Sequence, residues 1–182
     1  AIFWGMSQNL VAVIPALAKV NLGVTSPLMV NAMLALSVIG IMVGAYVSAR
    51  KSVNSVKVNN IYTGSTTITV CAILVPVVST LSFIPNSTAL IIVSALILVF
   101  GVGAGMMLVP LNALIQAHSA KEGLGSVLAG KNWIQNIAMI GLLLLTVLLA
   151  RSNVNSVYIL YLNALIAVVG FTVVLKRLKA IL

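Results

Sequence analysis

An all-α bundle of six membrane-spanning helices is the fold this sequence predicts, and three observations predict it. The 182 residues are 62% apolar and 6% charged. A soluble domain averages roughly a quarter charged residues, so this chain has too few ionic groups to coat a water-facing surface. Apolar runs close to the ~20 residues that cross a ~30 Å hydrocarbon core recur six times along it. Its basic residues concentrate in alternate connections between those runs.

Span one, residues 1–18, carries Gln8, Asn9 and Pro15. It closes on Ala16-Leu17-Ala18, which resembles a leader-peptide cleavage site, but no basic segment precedes Ile2, so it is read as a span. Beginning inside an apolar run, the chain is expected to be a piece of a longer membrane protein. After a break at Lys19–Pro27, span two (28–49) holds Asn31 and the pair Gly40 and Gly44. The break Arg50–Asn60 is basic through Arg50, Lys51 and Lys57. Span three (61–83) is rich in hydroxyls and contains Cys71 and Pro76.

A break at Ile84–Ser87 leads to span four (89–117), the longest, with Gly101, Gly103, Gly105, Pro110, Asn112 and Gln116. The polar break His118–Ser126 contains Lys121 and the single acid of the chain, Glu122. Span five (127–150) opens on Lys131, Asn132, Gln135 and Asn136, and after Arg151–Asn155 span six (156–175) contains Asn163. All six are read as helices, because in lipid each backbone N–H and C=O must be paired within its own segment and the alternation of a barrel strand is absent.

Eight of the ten basic residues fall in the second and fourth connections, at Lys131 and in the C-terminal tail; only Lys19 and Arg151 fall on the other side. The positive-inside bias therefore puts both termini in the cytoplasm and Asn86 and Asn153 outside.

Several function classes are excluded. The net charge of +9 is scattered between apolar runs with no aromatic-interleaved basic face, so nucleic acid is not the partner. One lone Cys cannot build a disulfide framework or a thiolate metal site. One His and one acid in a loop furnish no paired carboxylates, zinc site or Ser-His-Asp relay, so no enzyme, metal or cofactor is expected. Gly101, Gly103 and Gly105 lack the third spacing and the preceding strand of a dinucleotide fingerprint. No Asp or Glu lies inside a span, which leaves no carboxylate proton relay.

What remains is glycine, proline and amide. Gly40 with Gly44 and Gly101 with Gly105 are four apart, giving smooth faces for close helix packing. Pro110 removes a backbone donor about two turns from the end of span four, which predicts a kink usable as a hinge. Burying an amide in hydrocarbon costs a few kcal/mol unless it is partnered. Spans one, two, four and five, which carry Gln8, Asn9, Asn31, Asn112, Gln116, Asn132, Gln135 and Asn136, are thus expected to line something polar. Spans three and six, whose hydroxyls can bond the carbonyl one turn back, are expected to face lipid. Asn132, Gln135 and Asn136 stand at i, i+3 and i+4 on one stripe, and Asn112 and Gln116 mark a facing stripe. Each stripe reads as interhelical glue or as the lining of a substrate path. Lys131, four residues into its span, can snorkel to the interface or hold an anionic head group.

These features together resemble one half of a major facilitator superfamily transporter. Phe3-Trp4-Gly5, Asn31-Ala32-Met33, Val109-Pro110-Leu111-Asn112-Ala113-Leu114-Ile115-Gln116 and Asn132 to Met139 resemble the C-terminal half of the bacterial lysophospholipid transporter family, over nearly the whole chain. The resemblance implies a six-helix half built as 3+3 inverted repeats in the bacterial inner membrane. It implies passage of lysophospholipid by alternating access, with membrane lipids and an N-terminal half or a second copy as partners, and a cytoplasmic acyltransferase downstream. The superfamily's loop motif, Gly-x-x-x-Asp-Arg-x-Gly-Arg, is degenerate here: Gly44 fits, Ser48 and Ala49 occupy the Asp and Arg positions, and only Arg50 and Lys51 are basic; Gly44, Arg50 and Lys51 are expected as packing or gating residues. Gln135 stands where an acid is expected, so the resemblance implies no charge-based coupling there. The competing readings are a carrier of another small amphiphilic or apolar solute and a non-transporting anchor or packing module.

Overall fold

The computed structural model describes residues 1–51 and 58–181, with the side chains of Lys51, Lys121 and 177–181 outside the description. Within them the chain is all-α: α1 (Ile2–Asn21), α2 (Pro27–Lys51), α3 (Val58–Thr80), α4 (Asn86–His118), α5 (Leu124–Arg151) and α6 (Ser156–Ile181), with a short 3₁₀ turn at Lys121–Gly123. α2 to α6 are each long and apolar enough to cross a membrane, which makes this a multi-pass membrane protein. α1, expected as the first span, does not join those five, because Ser7, Gln8, Asn9 and Lys19 fall within its 20 residues. Its apolar positions Phe3, Met6, Leu10, Val13, Ile14 and Leu17 are buried instead inside the bundle.

The helices pair in a pattern that survives exchanging the first three for the last three. α2 packs on α4 as α5 packs on α1, α3 packs on α4 as α6 packs on α1, and α3 and α6 pack on each other. α4 and α5 barely touch. α4 remains one helix of 33 residues through Pro110.

α4 owes its neighbours to glycine. A Cβ at Gly40 would be driven into the Leu98 carbonyl, one at Gly44 into that of Val102, one at Gly101 into that of Ser37 and one at Gly105 into that of Ile41. The two glycine pairs therefore interdigitate, each occupying the space that the other helix's backbone requires. On the opposite side of α4 a Cβ at Gly64 would lie 2.5 Å from the Gly103 oxygen, and one at Gly103 would lie 2.9 Å from the Gly64 oxygen.

α3 exposes the hydroxyl-bearing face expected of it, with Thr63, Thr66 and Val70, but it is not given over to the outside as a whole. Thr63, Thr66, Thr67 and Thr69 do satisfy themselves on carbonyls within the helix. The opposite face, however, is made slim by Gly64, Ser65, Cys71 and Ala72, and these residues are buried. α6 likewise buries Val157, Leu160, Ala164 and Ala167. The least covered helix is α5, where Thr146 is the one buried residue.

Polar bonds close the remaining seams. Asn60 donates to Ser48 Oγ at 3.2 Å, and Ser48 donates to the Met106 carbonyl at 3.4 Å, joining α3, α2 and α4 at one end of the bundle. Arg50 of that end stacks over the Tyr46 ring, 4.9 Å from its centroid. The other end holds the α1–α2 turn, where a Cβ on Gly23 would come 3.3 Å from Asn86 Nδ2 at the start of α4.

Gly101→Ala is expected to destabilise the folded protein by about 3 kcal/mol, because the new methyl has only backbone to displace. Gly141→Ala, with open space beside it, is expected to cost nothing. Detergent unfolding of the two variants checks the ranking.

Candidate functional site

At the end of the bundle where α1, α3 and α5 begin and α4 and α6 finish, the helices leave a cavity of about 320 Å³. Its volume is at the low end of ligand pockets, which run from about 300 to 1,000 Å³. The wall is mostly apolar: Ile2, Phe3, Trp4, Ile61, Met107, Leu108, Leu111, Ile115, Phe171 and Val174. Phe3 is fixed by edge-on contact with Trp4 and by stacking on Phe100 at 6.0 Å between centroids. Ser65, Asn112, Lys131 and Gln135 are the polar side chains of the lining.

Helical periodicity places them. Leu108, Leu111, Asn112 and Ile115 recur at three and four residues, so one stripe of α4 faces the space; Lys131 and Gln135, four apart, form the facing stripe of α5. Where α5 stands off from α4, the Lys131 ammonium donates to Asn112 Oδ1 at 2.7 Å. A charge-assisted bond of this length orients the Lys side chain across the gap. Lys131 is half-buried and turned into the cavity. The amide supplies no counter-charge, and the only acid in the chain, Glu122, is exposed in the connecting segment. Ser65 spends its hydroxyl on Met107 Sδ at 3.3 Å, leaving the lower wall chemically apolar.

The expected amides separate. Gln135 and Asn112 both line the cavity, as does Lys131, which is bonded to Asn112. Asn132 and Asn136 do not join them: each lies one residue beyond the cavity stripe, a rotation of about 100° on a helix, and both are exposed. Gln116 is exposed too, because the last turn of α4, Gln116 to His118, runs past its neighbours. Asn31 is exposed and lines a separate pocket of about 260 Å³ at the opposite end, with Pro15 and Lys19. Gln8 is half-buried and outside the cavity lining.

Asn9 is glue. Buried on α1, its Oδ1 accepts from Thr146 at 3.0 Å, and one turn earlier Gly5 sits against Ala138 and Leu142 of α5. α5 is thus held to α1 by a narrow seam of Ala138, Leu142 and Thr146, each four residues from the next. Asn163 makes the matching tie from α6, donating to the Met6 carbonyl at 3.3 Å while itself buried. Sequence reasoning set Asn163 aside with the hydroxyl-bearing spans, and it passed over Thr146 and Asn60. The available signal was a polar side chain in phase with the small residues of its own helix.

The arrangement is that of a multi-pass helical membrane protein with an apolar cavity that carries the Lys131 ammonium at one corner. The chain matches no family model, no curated protein and no solved structure.

Interhelical hydrogen bonds in membranes couple by about 0.6 kcal/mol on average. A double-mutant cycle of Asn9→Val with Thr146→Val is expected to give a coupling of about that size, whereas Asn9→Val with Gln135→Leu should be additive. Unfolding free energies in detergent provide the measurement.

Proposed function

We propose that the chain is half of an alternating-access transporter of the major facilitator type, and that its cargo is a lysophospholipid or a similar single-chain amphiphile. The observation that carries the reading is the cavity: an apolar volume with the Lys131 ammonium and two side-chain amides in its lining suits a molecule that is mostly chain with a small polar head. The helix pairing favours the superfamily's construction. Exchange of α1–α3 for α4–α6 preserves it, as internal repeats require. The basic end, with Arg50 and the Lys131 cavity, is the cytoplasmic one by the distribution of Lys and Arg.

The uncovered face of α5 supports a two-half assembly. Asn132 and Asn136 lie exposed there among Trp133, Ile137 and Ile140, and amides left against hydrocarbon cost a few kcal/mol each. Packed against a second half, or a second copy, they would line the shared path and so would serve cargo after all, from outside the cavity described above. A lone half offers one wall and has nothing to rock against. The bacterial inner membrane is the compartment this reading implies, and a cytoplasmic acyltransferase the consumer.

Reconstitution tests it. In vesicles, saturable movement of labelled lysophospholipid is expected only from particles whose mass corresponds to twelve helices. Saturable movement from a demonstrably monomeric six-helix chain would contradict the two-half mechanism.

A further inference from the structure

Beside the Lys131 cavity lies a second space of about 180 Å³ between α3 and α6. The two share Ser65 and Phe171 as a common wall. The hydroxyls along this groove are already engaged: Thr66 on the Tyr62 carbonyl, Thr69 on that of Ser65, and Thr172 on that of Val168. Though rich in oxygen, the groove has no free donor to offer, and a methylene chain loses nothing by lying in it. The cavity corner is the opposite case, since Lys131 carries a full charge into an apolar surround with an amide oxygen as partner and no carboxylate within the chain's spans. Half-buried and bonded to one amide oxygen, the ammonium keeps donor capacity that an anion entering the corner would use.

Resting on the transporter reading above, we infer that Lys131, held across the gap by Asn112, selects cargo by the negative charge of its head group, and that the acyl tail passes Phe171 into the α3–α6 groove. The ligand chemistry is a phosphate or carboxylate on one acyl chain. Neutral single-chain lipids of the same length fit the apolar wall but leave the ammonium unpaired. Free glycerophosphate pairs the ammonium but forgoes all of the apolar burial.

Trp4 lines the cavity and Trp133 is exposed, so the Trp133→Phe protein in nanodiscs carries its remaining indole at the site. Quenching of Trp4 by nitroxide-labelled lysophosphatidylglycerol and by labelled monoacylglycerol of equal chain length reads the two affinities. The phosphate-bearing probe is expected to bind about tenfold more tightly, the effect of one hydrogen bond to a charged group. Lys131→Met should erase that ratio and Lys131→Arg keep it. Thr69→Trp, read against its own unliganded emission, should weaken long-chain probes while sparing short-chain ones of the same head group.

Equal affinity for the two probes in the Trp133→Phe protein overturns the inference without any cavity variant. So does a ratio unchanged in Lys131→Met, or competition by glycerophosphate at the probe's own concentration. An unchanged chain-length preference in Thr69→Trp overturns the tail route. If labelled lysophospholipid crosses vesicles while the Lys131 ratio is unaffected, the inference fails and the transporter reading stands. If neither probe binds and no flux occurs, the transporter reading itself fails.

Discussion

Backbone-to-backbone contact along α4 is the constraint on which the rest of this structure depends. Between helices in lipid there is no hydrophobic driving force, so association rests on close packing and interhelical hydrogen bonds. Gly40 and Gly44 against Gly101 and Gly105, with Gly64 against Gly103 on the other flank, lock α2, α4 and α3 at separations that any Cβ would forbid. α1 joins α5 and α6 differently, through the Asn9–Thr146 and Asn163–Met6 bonds and the contact at Gly5. These two assemblies meet where α3 packs on α6 and at Phe3–Phe100, but α4 and α5 are left standing apart. The cavity is that gap, and the Lys131–Asn112 bond is what crosses it.

The same constraint explains why polarity is so unevenly distributed. Where backbones touch, no side chain is needed, and α2 and α4 meet through glycine. Where they do not, some polar groups are tied to a neighbouring helix, as Asn60 is to Ser48, and others are turned into the cavity, as Gln135 is. Lys131 is the one cationic side chain among the described residues of the cavity lining, and the spans contain no Asp or Glu to pair with it.

Hydropathy made the helices legible, since span length and loop polarity are set by the bilayer itself and ask nothing of tertiary structure. Both glycine pairs were legible as packing faces, although only the structure shows that they face each other. The site was legible in residue type but not in phase. Asn132, Gln135 and Asn136 form the densest amide cluster of α5, yet the cavity stripe runs through Lys131 and Gln135, and a one-residue offset carries Asn132 and Asn136 to the exposed side. Amide count likewise misjudged α3: the slimness of its face at Gly64, Ser65 and Ala72 is what lets it approach α4. Asn9 and Asn31 show the same limit from the other side, for composition cannot tell a polar tie or a distant pocket from a cargo path.

Thiol accessibility within the gap between α4 and α5 tests this account most directly. Leu111 lines the cavity one residue before Asn112, so Leu111→Cys in a Cys71→Ala background puts a reporter beside the cation. Modification by a membrane-impermeant reagent from the cytoplasmic side, slowed severalfold by lysophospholipid and not by monoacylglycerol, is the expected result. A thiol at Leu111 that stays unreactive from that side, or whose modification rate ignores lysophospholipid, would contradict a cargo cavity at the basic end of the bundle.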